Sequence, residues 1–175
     1  MLEIFECDLS NNNDVTQICS KINKKYKTPD IIINNAATFS LKNIENFSTK
    51  EINYNYNINI IAPIIICNFF IVGFKKRKKG NIINICSSSS YTGGGAAGHT
   101  IYASTKHALL GFSRALDEEV RKFNIRVGTI SPAGVLTDMM RYRDDIDKKS
   151  LMAASEVAEG VFYMLKSKGK GITYE

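Results

Sequence analysis

Apolar positions in this sequence follow two alternating patterns. Short apolar runs at 2–7, 30–34, 81–86 and 125–130 have the length and continuity of buried strands. Between them, apolar side chains recur at the helical period. Residues 14–26 form the first such stretch, with Asn13 in the capping position. Ser48 followed by Glu51 is a capping box. It opens a helical region that runs to about Arg77 and bends near Pro63, which has no backbone N–H to give to a helix. Gly80 closes that region. Over 102–122, Ala108, Leu109, Phe112 and Leu116 share one face of an amphipathic helix. Ser155 caps a further helix through Leu165, and 172–174 begins a last strand. The stretch 87–100 is polar and glycine-rich, and Ser131-Pro132-Ala133-Gly134 makes a turn. Strands alternating with helices predict an α/β fold on a parallel sheet.

The chain has 175 residues, 44% hydrophobic and 23% charged, enough for a single domain over 1–175 with one core. No repeat or linker divides it. The most apolar stretch, 58–74, is interrupted by Asn59, Pro63 and Asn68 and falls short of the roughly 20 apolar residues of a membrane span, so it reads as a buried helix. The first ten residues include Glu3, Glu6 and Asp8 and have no basic start, unlike a secretory leader. Cys7, Cys19, Cys67 and Cys86 show neither metal-like spacing nor a disulfide framework. They read as small buried side chains in a reducing, cytoplasmic setting. The net charge of +6 comes from clusters at 21–27, 75–79 and 166–170. Each cluster falls at a predicted helix carboxyl end, where cations complement the dipole. That accounts for them without a nucleic-acid or membrane partner, although a basic surface also suits an acidic or phosphorylated substrate.

Candidate chemistry collects where strands end. Tyr102 and Lys106 lie four apart, on one face of a predicted helix. Upstream, Asn84-Ile85-Cys86-Ser87 ends a strand in a serine, and Asn34-Asn35-Ala36-Ala37 follows another. Asn59 lies in the long helical region. Downstream, the proline turn and Thr137 follow the strand at 125–130. In open α/β sheets, ligands bind beyond the carboxyl ends of strands, and these polar clusters fall there or on the following helix. His99 and His107 receive no role.

The string Tyr102-Ala103-Ser104-Thr105-Lys106-His107-Ala108-Leu109 resembles the active-site helix of the short-chain dehydrogenase/reductase family. Asn34-Asn35-Ala36-Ala37 resembles its Asn-Asn-Ala-Gly motif, with alanine in the last place. Asp8-Leu9 resembles the acidic step after its third strand, which contacts adenine. The proline turn and Thr137 resemble its nicotinamide-side loop. The resemblance implies a Rossmann-like doubly wound sheet and an NAD- or NADP-dependent oxidoreductase interconverting a carbonyl and an alcohol. It leans toward the 3-oxoacyl carrier-protein reductases.

On that resemblance each residue acquires a role. Tyr102 is the general acid or base, and Lys106 supplies the charge that brings its phenol into range and holds the nicotinamide ribose. Ser87 hydrogen-bonds the substrate oxygen. Asn59 holds a water that links Lys106 to solvent. Cofactor contacts fall to Asp8, Leu9, Asn35, Ala36, Tyr102, Lys106, Pro132, Val135 and Thr137. Counting from the strand selects Ser87 as the active serine, whereas counting back from Tyr102 selects Ser89. Ser87 is preferred because the strand fixes its direction, leaving Ser88 and Ser90 as loop filler. The helices over 58–74 and 102–122 imply a homodimer or homotetramer.

The resemblance starts only at the family's third strand and stops as its last strand begins. The first two strands and the glycine-rich turn that takes the pyrophosphate have no counterpart. Gly93-Gly94-Gly95 follows the wrong strand for that role. The expectation is therefore an incomplete Rossmann-like sheet, in which residues 2–7 lack a neighbour and 30–34 lacks one partner. The 175 residues by themselves are expected to have little dehydrogenase activity. The alternative is a non-catalytic fragment or remnant with only a binding role.

Overall fold

The structure is a computed structural model that describes residues 2–93, 97–141 and 146–167. Its centre is a parallel sheet of three strands, β1 (Ile31–Asn34), β2 (Gly80–Ile85) and β3 (Ile125–Ile130), in that spatial order. Asn34 lies opposite Asn84, and Ile85 opposite Ile130. The strands therefore end nearly level, and the residues after them emerge along one edge.

Among the described residues six α-helices accompany the sheet: α1 (Asn12–Tyr26), α2 (Thr49–Tyr56), α3 (Ala62–Arg77), α4 (Thr100–Val120), the short α5 (Asp138–Arg141) and α6 (Ala154–Lys166). The cap of α1 is Asn11 rather than Asn13, its side chain accepting from the Asn13 N–H at 3.0 Å. The expected capping box at Ser48 and Glu51 is formed in both directions. In α6 the expected cap Ser155 is already helical. The Glu156 carboxylate instead accepts from the Ala153 N–H at 2.6 Å. Basic residues fill the last turns of α1, α3 and α6, as the dipole argument requires.

Between α2 and α3 the helix widens into one π-helical turn, Asn57–Ile61. In an α-helix the Asn59 carbonyl would accept from residue 63, but Pro63 has no N–H to give. The Ala62 N–H bonds to Asn57 O, one residue further back than an α-helix allows. The irregularity therefore precedes Pro63, and it carries the side chain of Asn59 on the bulge.

One sheet face is covered by α3 and α4, with α1 packed against α3. Val15, Cys19, Ile32, Cys67, Phe70, Phe74, Ile82, Leu116, Val120 and Val127 form the main core there. The continuous stretch Thr49–Arg77 is long and apolar enough, by length and composition, to cross a membrane. Here it is the core helix the interrupted pattern suggests, with Ala62, Cys67, Phe70 and Phe74 buried. On α4 the buried stripe is Ile101, Leu109, Leu110, Ser113, Leu116 and Val120. Ala108, expected on it, is exposed. The other sheet face carries α6, packed closely over β3 because Gly128 has no side chain. A Cβ there would stand 2.3 Å from Met164 Cε.

Residues 2–7 do not form the expected strand. The segment belongs to no ladder, and Leu2 and Ile4 are almost wholly exposed. Strand structure needs a hydrogen-bonded neighbour, which apolar sequence cannot supply by itself. β1 pairs only with β2 among the described residues, and Ile31 and Ile33 are 42% and 46% exposed. The expected strand at 172–174 lies outside the described residues.

Candidate active site

The strand ends fasten the site together. The Cys86 N–H donates to Ile130 O at 2.7 Å, and the Ser88 N–H to Pro132 O at 2.9 Å. The turn after β2 and the proline turn after β3 are thus held side by side. Ser88–Ser90 make one 3-10 turn capped by Ser87, whose Oγ accepts from the Ser89 N–H at 3.1 Å. That bond occupies a lone pair and leaves the Ser87 hydroxyl proton to be given elsewhere. Ser89 gives its N–H to this arrangement, and the serine hydrogen-bonded to the tyrosine is Ser87.

Tyr102 and Lys106 project from the first turns of α4. Burial raises the Tyr102 phenol above its ordinary value, and a hydrogen bond with Ser87 pulls it partly back. Burial pushes the Lys106 ammonium down to about 8. Its Nζ donates to Ile85 O at 2.8 Å and stands 5.7 Å from the Tyr102 ring centre. The expected lowering of the phenol by Lys106 is therefore not present in this arrangement, because the ammonium is engaged by the end of β2 and burial prevails at the phenol. The bond to Ile85 O uses one of the three ammonium protons and leaves two to be given elsewhere.

Asn59 sits at the π-helical turn, 1% exposed. Its Oδ1 accepts from the Thr38 N–H at 2.8 Å, and its Nδ2 donates to Thr38 O at 2.9 Å and Thr105 Oγ1 at 3.0 Å. Both amide protons are used, leaving only an Oδ1 lone pair for a water of the expected kind. The residue ties the loop after β1 to the helix bearing Tyr102.

The expected cofactor residues lie around the same end of the sheet. Asn35 and Ala36 are exposed directly after β1. Asp8 is exposed, and its Oδ1 accepts from the Ser10 N–H and hydroxyl at 2.9 and 2.8 Å, which hold its carboxyl below the ordinary range. Leu9 packs against the main core. Asn57 Nδ2 donates to Ser10 O at 2.9 Å and draws this turn to the end of α2. Pro132 and Val135 are half-buried, Val135 bridging to Met152, and Thr137 is exposed.

A cleft of about 700 Å³ opens beside the proline turn, lined by Tyr91, Ser131, Pro132, Met152, Val157 and Tyr163 among others. The Ser131 hydroxyl is buried there with no hydrogen-bond partner among the described residues. An orphaned hydroxyl beside exposed backbone is what a polar ligand at this edge would satisfy.

Two participants escaped the sequence reading. Phe39 meets the Tyr102 ring edge-on at 4.9 Å and the His99 ring at 5.2 Å, forming one wall of the site. A lone aromatic two residues past Ala37, in a polar loop at a strand end, was the available signal. Ser90, set aside as filler, is 3% exposed and hydrogen-bonded to Lys106 O at 3.0 Å.

The arrangement sets a phenol and a serine hydroxyl, hydrogen-bonded together, one helical turn from a buried amine. Such a group can donate two hydrogen bonds to one oxygen and move a proton to or from it. Comparison with known proteins identifies the family. A family model described as short chain dehydrogenase matches residues 1–147. Carbonyl reductase family member 4 of Xenopus laevis is 29% identical over 169 residues, covering 93% of this chain and 71% of that one. The 3-oxoacyl-(acyl-carrier-protein) reductase FabG of Chlamydia trachomatis serovar D is 35% identical over 138 residues, 79% of this chain and 55% of that protein. Among solved structures, a 4-hydroxyisoleucine dehydrogenase mutant complexed with NADH and succinate superposes with a TM-score of 0.89 at 24% identity, covering 98% and 75% of the two chains. A short-chain dehydrogenase from Streptomyces avermitilis gives 0.85 at 17% identity, covering 99% and 69%.

Proposed function

The chain belongs to the short-chain dehydrogenase family, a family of oxidoreductases, and on that premise we propose that it carries the proton-handling half of an NAD(P)-dependent interconversion of a carbonyl and an alcohol. The observation that carries this reading is the Ser87–Tyr102 hydrogen bond one helical turn from the buried Lys106 amine. In reduction, Ser87 and Tyr102 donate to the carbonyl oxygen, and Tyr102 gives up its proton as the alkoxide develops. Lys106, turned from Ile85, makes that phenol easier to ionise. The dinucleotide, when bound, supplies or accepts the hydride. Its nicotinamide end would be held by Lys106, Asn35 and the turn from Ser131 to Thr137, where the orphaned Ser131 hydroxyl lies. Asp8 and Leu9 would lie toward adenine.

The substrate is a small-molecule carbonyl or alcohol, and the relatives named as 3-oxoacyl-(acyl-carrier-protein) reductases support an acyl-type one. The apolar outer positions of α3, with Val72 70% exposed, support a homodimer or homotetramer through α3 and α4, in a cytoplasmic setting. The glycine-rich loop between β2 and α4 follows the strand that leads to Ser87, the wrong place for a dinucleotide fingerprint. The 175 residues by themselves are therefore expected to turn over slowly.

The test is titration with NADH and NADPH, with carbonyl reduction followed by nicotinamide absorbance, on this chain and on any longer product of its reading frame. Tyr102→Phe should abolish turnover and leave dinucleotide binding nearly intact. Unchanged turnover in that variant would show that another group supplies the proton. Dinucleotide binding by no form of the protein would favour the non-catalytic binding role.

A further inference from the structure

The hydroxyl of Ser90 is fully engaged. It donates to Lys106 O at 3.0 Å, accepts from the Ser87 N–H at 3.3 Å, and lies in hydrogen-bond reach of the Cys86 thiol. A serine hydroxyl has one proton, and with that proton given to Lys106 O none is left to donate to a substrate. Both of the backbone groups that it joins belong to residues of the proposed site. Lys106 O is a helical carbonyl that accepts this bond in addition to its place in the helix. The Ser87 N–H is the first backbone donor past Cys86, beyond the last bond of the sheet.

The rest of the connection between the serine turn and α4 is long. Ser87 and Tyr102 are separated by a glycine-rich loop, and closing such a loop fixes little about its ends. Two other bonds tie β2 to α4, from Lys106 Nζ to Ile85 O at 2.8 Å and from Asn84 Nδ2 to Ser113 Oγ at 2.7 Å. Of these ties, the Ser90 hydroxyl is the one made from the serine turn itself to the backbone of α4.

We propose that Ser90 is a positioning residue, a brace that holds the backbone of Ser87 to the backbone of Lys106 and keeps the serine turn in register with the tyrosine helix. This rests on the reading of Ser87, Tyr102 and Lys106 as the reacting group. The brace matters because the Ser87–Tyr102 contact joins side chains from separate segments, and an error of about 1 Å in such a pair costs on the order of a hundredfold in rate.

The test reads the geometry without turnover. Tyrosine labelled with ¹³C at Cζ lets the Tyr102 titration be followed by NMR, its signal assigned with Tyr102→Phe. Ser90→Val and Ser90→Thr have nearly the same shape and differ in the hydroxyl. Ser90→Val should move the Tyr102 midpoint upward by about half a pH unit or more, because Ser87 no longer holds the phenol, while Ser90→Thr stays within about 0.2 unit of the parent. Ser87→Ala should produce the same upward shift, and the double variant Ser87→Ala with Ser90→Val should add nothing further. Should Ser90→Val fail to fold, Ser90→Cys, near serine in size but a far weaker donor, reads the same displacement. A Ser90→Val protein whose urea midpoint falls while Tyr102 titrates as in the parent would reduce Ser90 to a stabilising residue and overturn the proposal. So would additive shifts in the double variant. An inert protein with a Ser90-dependent Tyr102 titration would remove the proposed reaction and leave the brace standing. An active one with an indifferent titration would do the reverse.

Discussion

Replacing Lys106 with methionine should stabilise the protein, by an amount that fades as pH rises. Lys106 is 2% exposed, and desolvation moves its titration from 10.5 down to about 8. Below the folded value both states carry the proton, and the folded state bears the whole penalty, roughly 3 kcal/mol. Between the two values the unfolded chain keeps a proton that the folded one has released, so stability from this group climbs as pH rises. Above 10.5 both states are neutral and the penalty vanishes. Methionine keeps the length of the side chain and loses the 2.8 Å bond to Ile85 O, at a cost of about 1 kcal/mol. The net gain at pH 7 is then about 2 kcal/mol, shrinking by roughly 2 kcal/mol by pH 9.5.

The parent's own pH profile mixes this effect with an opposing one. Burial raises Cys19, Cys67 and Cys86 to about 11, 12 and 11. The unfolded chain therefore loses those protons first, and their contribution to stability falls as pH rises through about 9. The difference between variant and parent cancels Cys19 and Cys67. It leaves a small residue from Cys86, whose thiolate the Lys106 charge assists. Urea unfolding of both proteins by far-ultraviolet circular dichroism at pH 7, 8 and 9.5, under reducing conditions, measures that difference. A variant less stable than the parent at pH 7, or a gap that stays constant to pH 9.5, would refute the account of Lys106 as a cation held at the expense of stability.

Three further outcomes are expected. Asn59→Ala strands the Thr38 N–H that Asn59 Oδ1 accepts at 2.8 Å and should cost about 2 kcal/mol in urea unfolding; a loss under about 0.5 kcal/mol would mean that the loop after β1 satisfies itself. Ser48→Ala breaks the capping box of α2 and should cost about 1 kcal/mol, with Ser48→Asp recovering most of it in the same assay. Gly73→Ala places a Cβ 1.9 Å from Thr28 Oγ1 and should lower stability by about 1–3 kcal/mol. Adding Thr28→Ala should restore most of that loss, and a double variant as unstable as the single one would locate the clash elsewhere.

Much of this protein could be read along the chain because its determinants are local. The span of β3, the capping box at Ser48 and Glu51, and the basic last turns of α1, α3 and α6 each depend on residues a few positions apart, where period, cap and dipole decide. The placement of Asn34, Ser87 and Pro132 at one edge also follows from order alone, since parallel strands end on the same side. What could not be read there depends on partners distant in sequence. Residues 2–7 have the composition of a strand and are not one, because a ladder needs a neighbour. Lys106 carries a charge suited to the phenol but rests on Ile85 O, because burial gives an ammonium strong reason to take the nearest carbonyl. Asn59 is committed to Thr38 and Thr105 by a helical turn that Pro63 widens. Ser90 looks like one serine among four, and only the packing of α4 against the end of β2 gives its hydroxyl two backbone partners from separate segments. Sequence specified which groups could react. The tertiary structure decided which of them are held, by whom and in what charge state, because desolvation and hydrogen-bond satisfaction depend on every segment that closes around a group.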